Sequence, residues 1–255
     1  MLNLLADRIR GMGTAHWLLV FGLILVAWSA LFVLAVPADL RSAARFYGAD
    51  FWDTLCMVTL DGAGYANAAL MWALMAAAMM LPSALPAFAT HDDLGRQTGV
   101  PFLPLVLGYG CVWIGFALTA AALQLGLYRF GLISAIGDSL SVWLTAGLLL
   151  GAGLYQFSPV KEACLAKCRR PLTFFMQHWD EGPWRNGVRL GLVCLGCCWA
   201  LMLLAFVGGV MNLAFMGVAT LIMVGEKMDI VGRYITRPLG VILIFGAFLV
   251  LLRTV

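Results

Sequence analysis

The stretch Val188–Val207 reads VRLGLVCLGCCWALMLLAFV, and beyond Arg189 its remaining eighteen residues carry no charge. A helix of that length rises about 30 Å, which matches the hydrocarbon thickness of a bilayer. The flanking sequence repeats the pattern. Apolar segments of similar character lie near His16–Val36, Ala66–Phe88, Val100–Leu127, Leu140–Phe157, Val210–Ile230 and Thr236–Leu252. Over the whole chain 63% of residues are hydrophobic and only 11% charged, and the mean hydropathy is +0.95. A soluble domain of this size is far more polar, so the bilayer is the expected solvent. The expected fold is all-α: one polytopic bundle of about seven transmembrane helices forming a single domain over residues 1–255.

Basic residues set the orientation, because Lys and Arg are retained on the cytoplasmic side. With a cytoplasmic N-terminus, the inner segments hold twelve of the sixteen basic residues, among them Arg96, Lys161, Lys167, Arg169, Arg170, Lys227 and Arg237; Arg41, Arg45, Arg129 and Arg253 fall outside. Removing one crossing destroys that asymmetry. The sixth segment is interrupted near its end by Glu226, Lys227 and Asp229, and so is expected to be shorter or broken. The net charge of +3 reports topology; there is no basic stripe on a soluble surface of the kind nucleic acid requires. Met1–Gly13 is amphipathic, and the run after it is full length without a small-residue cleavage pattern, so the first helix is expected to stay in the mature protein. Pro37–Gly64 is the longest outer polar stretch. Its Asp39, Asp50, Asp53 and Asp61, mixed with Phe46, Tyr47, Phe51 and Trp52, suit a short interfacial helix better than a calcium loop with alternate ligands.

The chemistry concentrates in sulfur. Met71, Met75 and Met79 recur every four residues in the second segment, drifting about 40° per step along one face, while Met80 points elsewhere and Pro82 and Pro86 close the helix. In the fifth segment Cys194, Cys197, Cys198 and Met202 fall within an arc of roughly 140°. Counted from cytoplasmic ends near Phe88 and Gly187, Met79 and Cys197 lie about 13–15 Å deep and Met75 and Met202 about 20 Å. The sixth segment projects Asn212, Met216, Met223 and Glu226 onto one side. Soft thiolates and thioethers select soft metals such as Cu(I), whereas zinc more often recruits His or four cysteines. The competing reading is that Met fills irregular helix interfaces and Cys acts as a small apolar residue.

Cys164 and Cys168 form a second pair, four residues apart on the cytoplasmic side, beside Lys161, Lys167, Arg169 and Arg170. They could take metal from a soluble carrier, with basic neighbours lowering the thiol pKa; ordinary reduced cytosolic thiols are the alternative. Other chemistry is disfavoured by what is missing. His16, His91 and His178 sit at or beyond the expected helix ends, against a bis-histidine haem. The seventh segment has no lysine for a retinal Schiff base, and no Gly-Lys-Ser/Thr loop suggests an ATP-driven pump. Gly208-Gly209 and Gly147, Gly151 and Gly153 read as places of close helix approach.

Met71-Trp72 through Met79-Met80-Leu81-Pro82-Ser83, Tyr155-Gln156 with Pro159-Val160-Lys161, Cys164 to Cys168-Arg169-Arg170-Pro171, Gly196-Cys197-Cys198-Trp199-Ala200-Leu201-Met202, Gly209-Val210-Met211-Asn212 and Glu226-Lys227 form a combination. Together they resemble a bacterial family described as predicted metal-binding integral membrane proteins. The resemblance covers about Met71 to Lys227 and implies a multi-helix inner-membrane protein that binds metal.

The sequence therefore leads to a protein of the bacterial inner membrane that binds a soft metal, copper before others, and transports it or passes it to another membrane protein. The candidate ligands are Met71, Met75, Met79, Cys164, Cys168, Cys194, Cys197, Cys198, Met202, Met216, Met223 and Glu226. Glu226, costly in lipid unless paired, would balance charge or carry a proton, with Arg or Lys from another loop as its partner. Expected partners are the bilayer and a metal carrier or larger membrane complex. Two other classes stay open: an accessory subunit of such a complex without metal of its own, and a thiol-disulfide oxidoreductase using Cys194 and Cys197. The cytoplasmic-side depth of that pair speaks against the last.

Overall fold

The structure, a computed structural model, describes residues 9, 11–35, 60–229 and 231–253. Most of the N-terminal amphipathic stretch and the outer stretch with Asp39, Asp50, Asp53 and its aromatic residues lie outside these. Every one of the seven apolar segments is helical: α1 (Thr14–Ala35), α2 (Gly62–Thr98), α3 (Leu103–Arg129), α4 (Val142–Tyr155), α7 (Pro183–Leu203), α9 (Leu213–Lys227) and α10 (Gly232–Leu252). Between α4 and α7 lie two short helices, α5 (Pro159–Arg169) and α6 (Pro171–His178), and α7 is followed by the single turn α8 (Ala205–Gly208). No strand occurs among the described residues.

Five of these helices are long and apolar enough to cross a membrane. The other two fall short: α4 has 14 residues and α9 has 15, which rise only about 21–23 Å. Local caps explain both lengths. Ser141 accepts a hydrogen bond from the Leu144 amide and starts α4, and Ser158-Pro159 then opens a new helix, proline suiting the first helical position. Asn212 caps α9 through the Phe215 amide, and α9 stops at Lys227, which fits the shortened sixth segment that its charges foretold.

One expectation fails plainly. Pro82 and Pro86 do not close α2, which runs through both to Thr98 for 37 residues. Proline removes a backbone donor and frees the carbonyl four residues back, and here the neighbouring helix supplies a replacement. The Trp28 indole of α1 donates to the Ala78 carbonyl that Pro82 leaves free, at 3.0 Å. The continuation is anchored by Asp92, buried at 2% exposure, which accepts from the Gly13 amide at 3.0 Å and pairs with His16 at 2.5 Å and Arg96 at 2.7 Å. His91 consequently lies inside the helix and not beyond its end. It is buried against the rings of Phe175 and Trp179.

The glycines are also redistributed. A methyl group at Gly147 or Gly151 would meet nothing within 4 Å, so those two make no close helix approach, whereas Gly153 does pack against Gly240 and Ile244 of α10. Gly209 adopts a positive φ of 91° and turns the chain between α8 and α9. A close approach joins α3 to α7, where a Cβ on Gly187 would collide with the Leu105 carbonyl and one on Gly108 with that of Trp184. Around this pair, α2 packs on α1 and α3, α4 on α10, α5 on α7, and α9 on α2. The core thus gathers around α2 and α7, while α1 exposes Leu18, Leu25, Val26 and Phe32 and α10 exposes Val241, Ile242, Phe245 and Phe248. Such faces suit lipid.

A candidate metal centre of thiols

Cys194, Cys197 and Cys198 are each 1% exposed, and their sulfur atoms lie within 4.8 Å of one another. Helix geometry accounts for this: positions i, i+3 and i+4 share one face, and all three point into the core. The Cys197 thiol donates to the Cys194 carbonyl at 3.0 Å and touches the Cys198 sulfur at 3.2 Å. No described cysteine is in a disulfide. Three convergent thiols in a buried site are a donor set for a soft cation.

The cluster is enclosed by three other helices. From α3, the Tyr109 hydroxyl lies 3.2 Å from the Cys194 sulfur and donates to the Met80 carbonyl at 3.1 Å. From α9, the Lys227 ammonium donates to the Cys194 sulfur at 2.9 Å and to the Ser83 hydroxyl of α2 at 2.7 Å. From α5, Cys168 lies near Cys197, and Cys164 lies so close to Gly196 that a Cβ there would stand 2.6 Å from its sulfur. The cytoplasmic pair expected from sequence is therefore folded directly against the thiols of α7. Burial pushes the Cys164 thiol above its usual pKa, and Lys167 only partly opposes this, so the expected lowering by basic neighbours does not occur at that residue.

A cavity of about 290 Å³ opens beside the cluster, with Cys168, Ser83, Lys227, Arg169, Pro82 and Asp229 among its walls. The thiols of α7 lie behind this wall and meet it at Lys227.

The methionines belong to the same core. Met71, Met75, Met79, Met202, Met216 and Met223 are all buried in the core that contains the cysteines. On α2 the four-residue spacing of Met75 and Met79 continues to Ser83, and on α9 Met216 and Met223 share within about 40° the face of Lys227. On α7, Met202 follows Cys194 and Cys198 at the same interval. Three helix faces that carry thioethers thus end at the contact of Ser83, Lys227 and Cys194.

Glu226 is placed differently. Its two carboxylate oxygens accept from Lys161 of α5 at 3.0 and 2.8 Å, both side chains being 1% exposed. Arg169 donates to its backbone carbonyl at 2.9 Å. The expected basic partner from another segment is thus Lys161.

Sequence reasoning named the cysteines but not Lys227, Ser83 or Tyr109 as their neighbours. Lys227 and Ser83 stood in the motifs of the family resemblance, and an ammonium next to a membrane carboxylate was a signal in itself; Tyr109 carried none.

Residues 69–250 match the model of a protein family, PpoB2, described as a copper chaperone. That span includes the whole of Met71 to Lys227 and accords with the resemblance to a metal-binding membrane family. No curated protein and no solved structure matches the chain.

Proposed function

Because the chain belongs to the PpoB2 copper chaperone family, we propose that it is a multi-pass protein of the bacterial inner membrane that binds Cu(I) and passes it to a partner protein. Seven segments cross or enter the bilayer, with the N-terminus cytoplasmic, and the two short helices α4 and α9 are matched to a site near the cytoplasmic face. The observation that carries the reading is the buried group of Cys194, Cys197 and Cys198. Thiolates bind Cu(I) tightly, and two or three of them suffice for its low coordination numbers.

Cys168, on the cavity wall, receives the ion from a cytosolic carrier, and thiol exchange moves it to Cys197 and on to Cys198 and Cys194. Each step forms one copper–sulfur bond as another breaks, so the ion is never free in a medium that would penalise it. Met79 and Met75 on α2 and Met202 on α7 extend the soft-donor surface away from the cytoplasmic side, giving the ion a route toward an acceptor. Lys161 and Glu226 hold α5 against α9 and so keep Cys168 in register with the thiols.

Elemental analysis of detergent-purified protein, loaded anaerobically with Cu(I) and washed, tests the proposal. The wild type is expected to retain about one copper per chain and a Cys197→Ala/Cys198→Ala variant almost none. Copper absent from the wild type, or retained equally by the variant, overturns the assignment.

A further inference from the structure

Lys227 is the feature of the site that copper binding by itself does not require. Its ammonium is 2.9 Å from the Cys194 sulfur and 2.7 Å from the Ser83 hydroxyl. It also lines the cavity beside the thiol cluster. Its two hydrogen-bond partners are a hydroxyl and a sulfur. Glu226 is engaged through both oxygens by Lys161, and Asp229 shares the cavity wall without an ion pair to Lys227, so the ammonium is directed at the thiols.

Resting on the Cu(I) site proposed above, we infer that Lys227 is a specificity-determining residue that makes the thiol cluster accept a monovalent soft cation in preference to a divalent one. The reason is elementary electrostatics. A fixed positive charge repels an incoming ion in proportion to that ion's charge, so a dication suffers twice the penalty of a monocation at the same place. The thiolates cannot supply this discrimination, since they attract the dication more strongly and Zn(II) is as much a thiolate metal as Cu(I). On any one set of thiolates Zn(II) leaves the assembly one charge more positive than Cu(I) does, and the ammonium beside it raises the cost of that extra charge. The bond to Ser83 limits how far the ammonium withdraws when the ion arrives. Lys227 is in this sense a positioning charge and not a ligand.

The experiment compares wild type, Lys227→Leu, Lys227→Gln and Lys227→Arg with Cys197→Ala/Cys198→Ala, all purified in detergent and shown to be monodisperse. Cu(I) and Zn(II) affinities are measured separately by anaerobic competition with chromophoric chelators. The two neutral variants are expected to shift the Cu(I)-to-Zn(II) preference toward zinc by roughly tenfold or more, and the arginine variant to retain the wild-type ratio. A ratio unchanged in both neutral variants, with Cu(I) still bound through the cysteines, overturns the role of Lys227 alone. Failure of the wild type to bind Cu(I), or binding that survives loss of Cys197 and Cys198, removes the site reading and this inference with it. The two neutral variants differ in polarity, leucine being apolar and glutamine polar, so misfolding of one leaves the other to decide.

Discussion

Two adjacent residues at the end of α9 divide the charge chemistry of this protein between them. Glu226 turns into α5 and forms a closed, two-point pair with Lys161, both side chains 1% exposed. Lys227 turns the other way, into the thiols of α7, and finds a hydroxyl and a sulfur but no carboxylate. Adjacent positions on a helix are rotated by about 100°, so one element presents both regions at once. Lys161 and Lys227 are the same side chain in two settings. A charge neutralised by a carboxylate holds helices together, and a charge left without one acts on whatever enters beside it.

The largest effect is expected where the closed pair is opened. Glu226→Gln leaves the Lys161 ammonium buried without its counter-charge and should cost about 3–5 kcal/mol, read as a fall in the thermal unfolding midpoint of the detergent-solubilised protein. The double variant Lys161→Met/Glu226→Met should recover most of that loss, since a buried pair exchanged for apolar side chains is close to neutral. A single variant no less stable than wild type would break the comparison.

A smaller loss is expected at the other lysine. Lys227→Leu should cost the apo protein no more than about 1 kcal/mol, because no carboxylate pairs with the ammonium and its removal also removes the cost of burying the charge; its measurable effect lies in metal preference. If it destabilised the fold as much as Glu226→Gln, the division into a structural and a functional charge would fail. The smallest change is Ser83→Ala, about 0.5–1 kcal/mol in stability from one lost neutral acceptor. It should loosen the ammonium and weaken metal discrimination less than Lys227→Leu does, in the same chelator competition.

Much of this was legible beforehand. Long runs of apolar residues leave a chain few alternatives to helices in a membrane, because an unpaired backbone amide in lipid costs several kcal/mol, and the helical period already grouped Cys194, Cys197 and Cys198. The helix ends were less legible. α2 continues through Pro82 because Trp28, 50 residues distant in sequence, supplies the missing hydrogen bond, and no window around the proline contains that information. Gly147 and Gly151 looked like packing glycines but face open space, while Gly108 and Gly187 let α3 meet α7. Composition marks a glycine; only the partner helix determines whether its missing side chain is used.

By itself the sequence determined the solvent, the helical class, the shared face of the three cysteines and the softness of the ion they suit, for these depend on residue type and on a fixed rotation per residue. Tertiary structure alone decided that Cys168 and Cys164 meet the thiols of α7, that Glu226 belongs to Lys161, and that Lys227 stands at Cys194. The contacts of Lys227 and Glu226 join residues 33 and 65 positions apart in the chain, brought together by how helices pack across one another, and a helix's own periodicity is silent on which neighbour its face will meet.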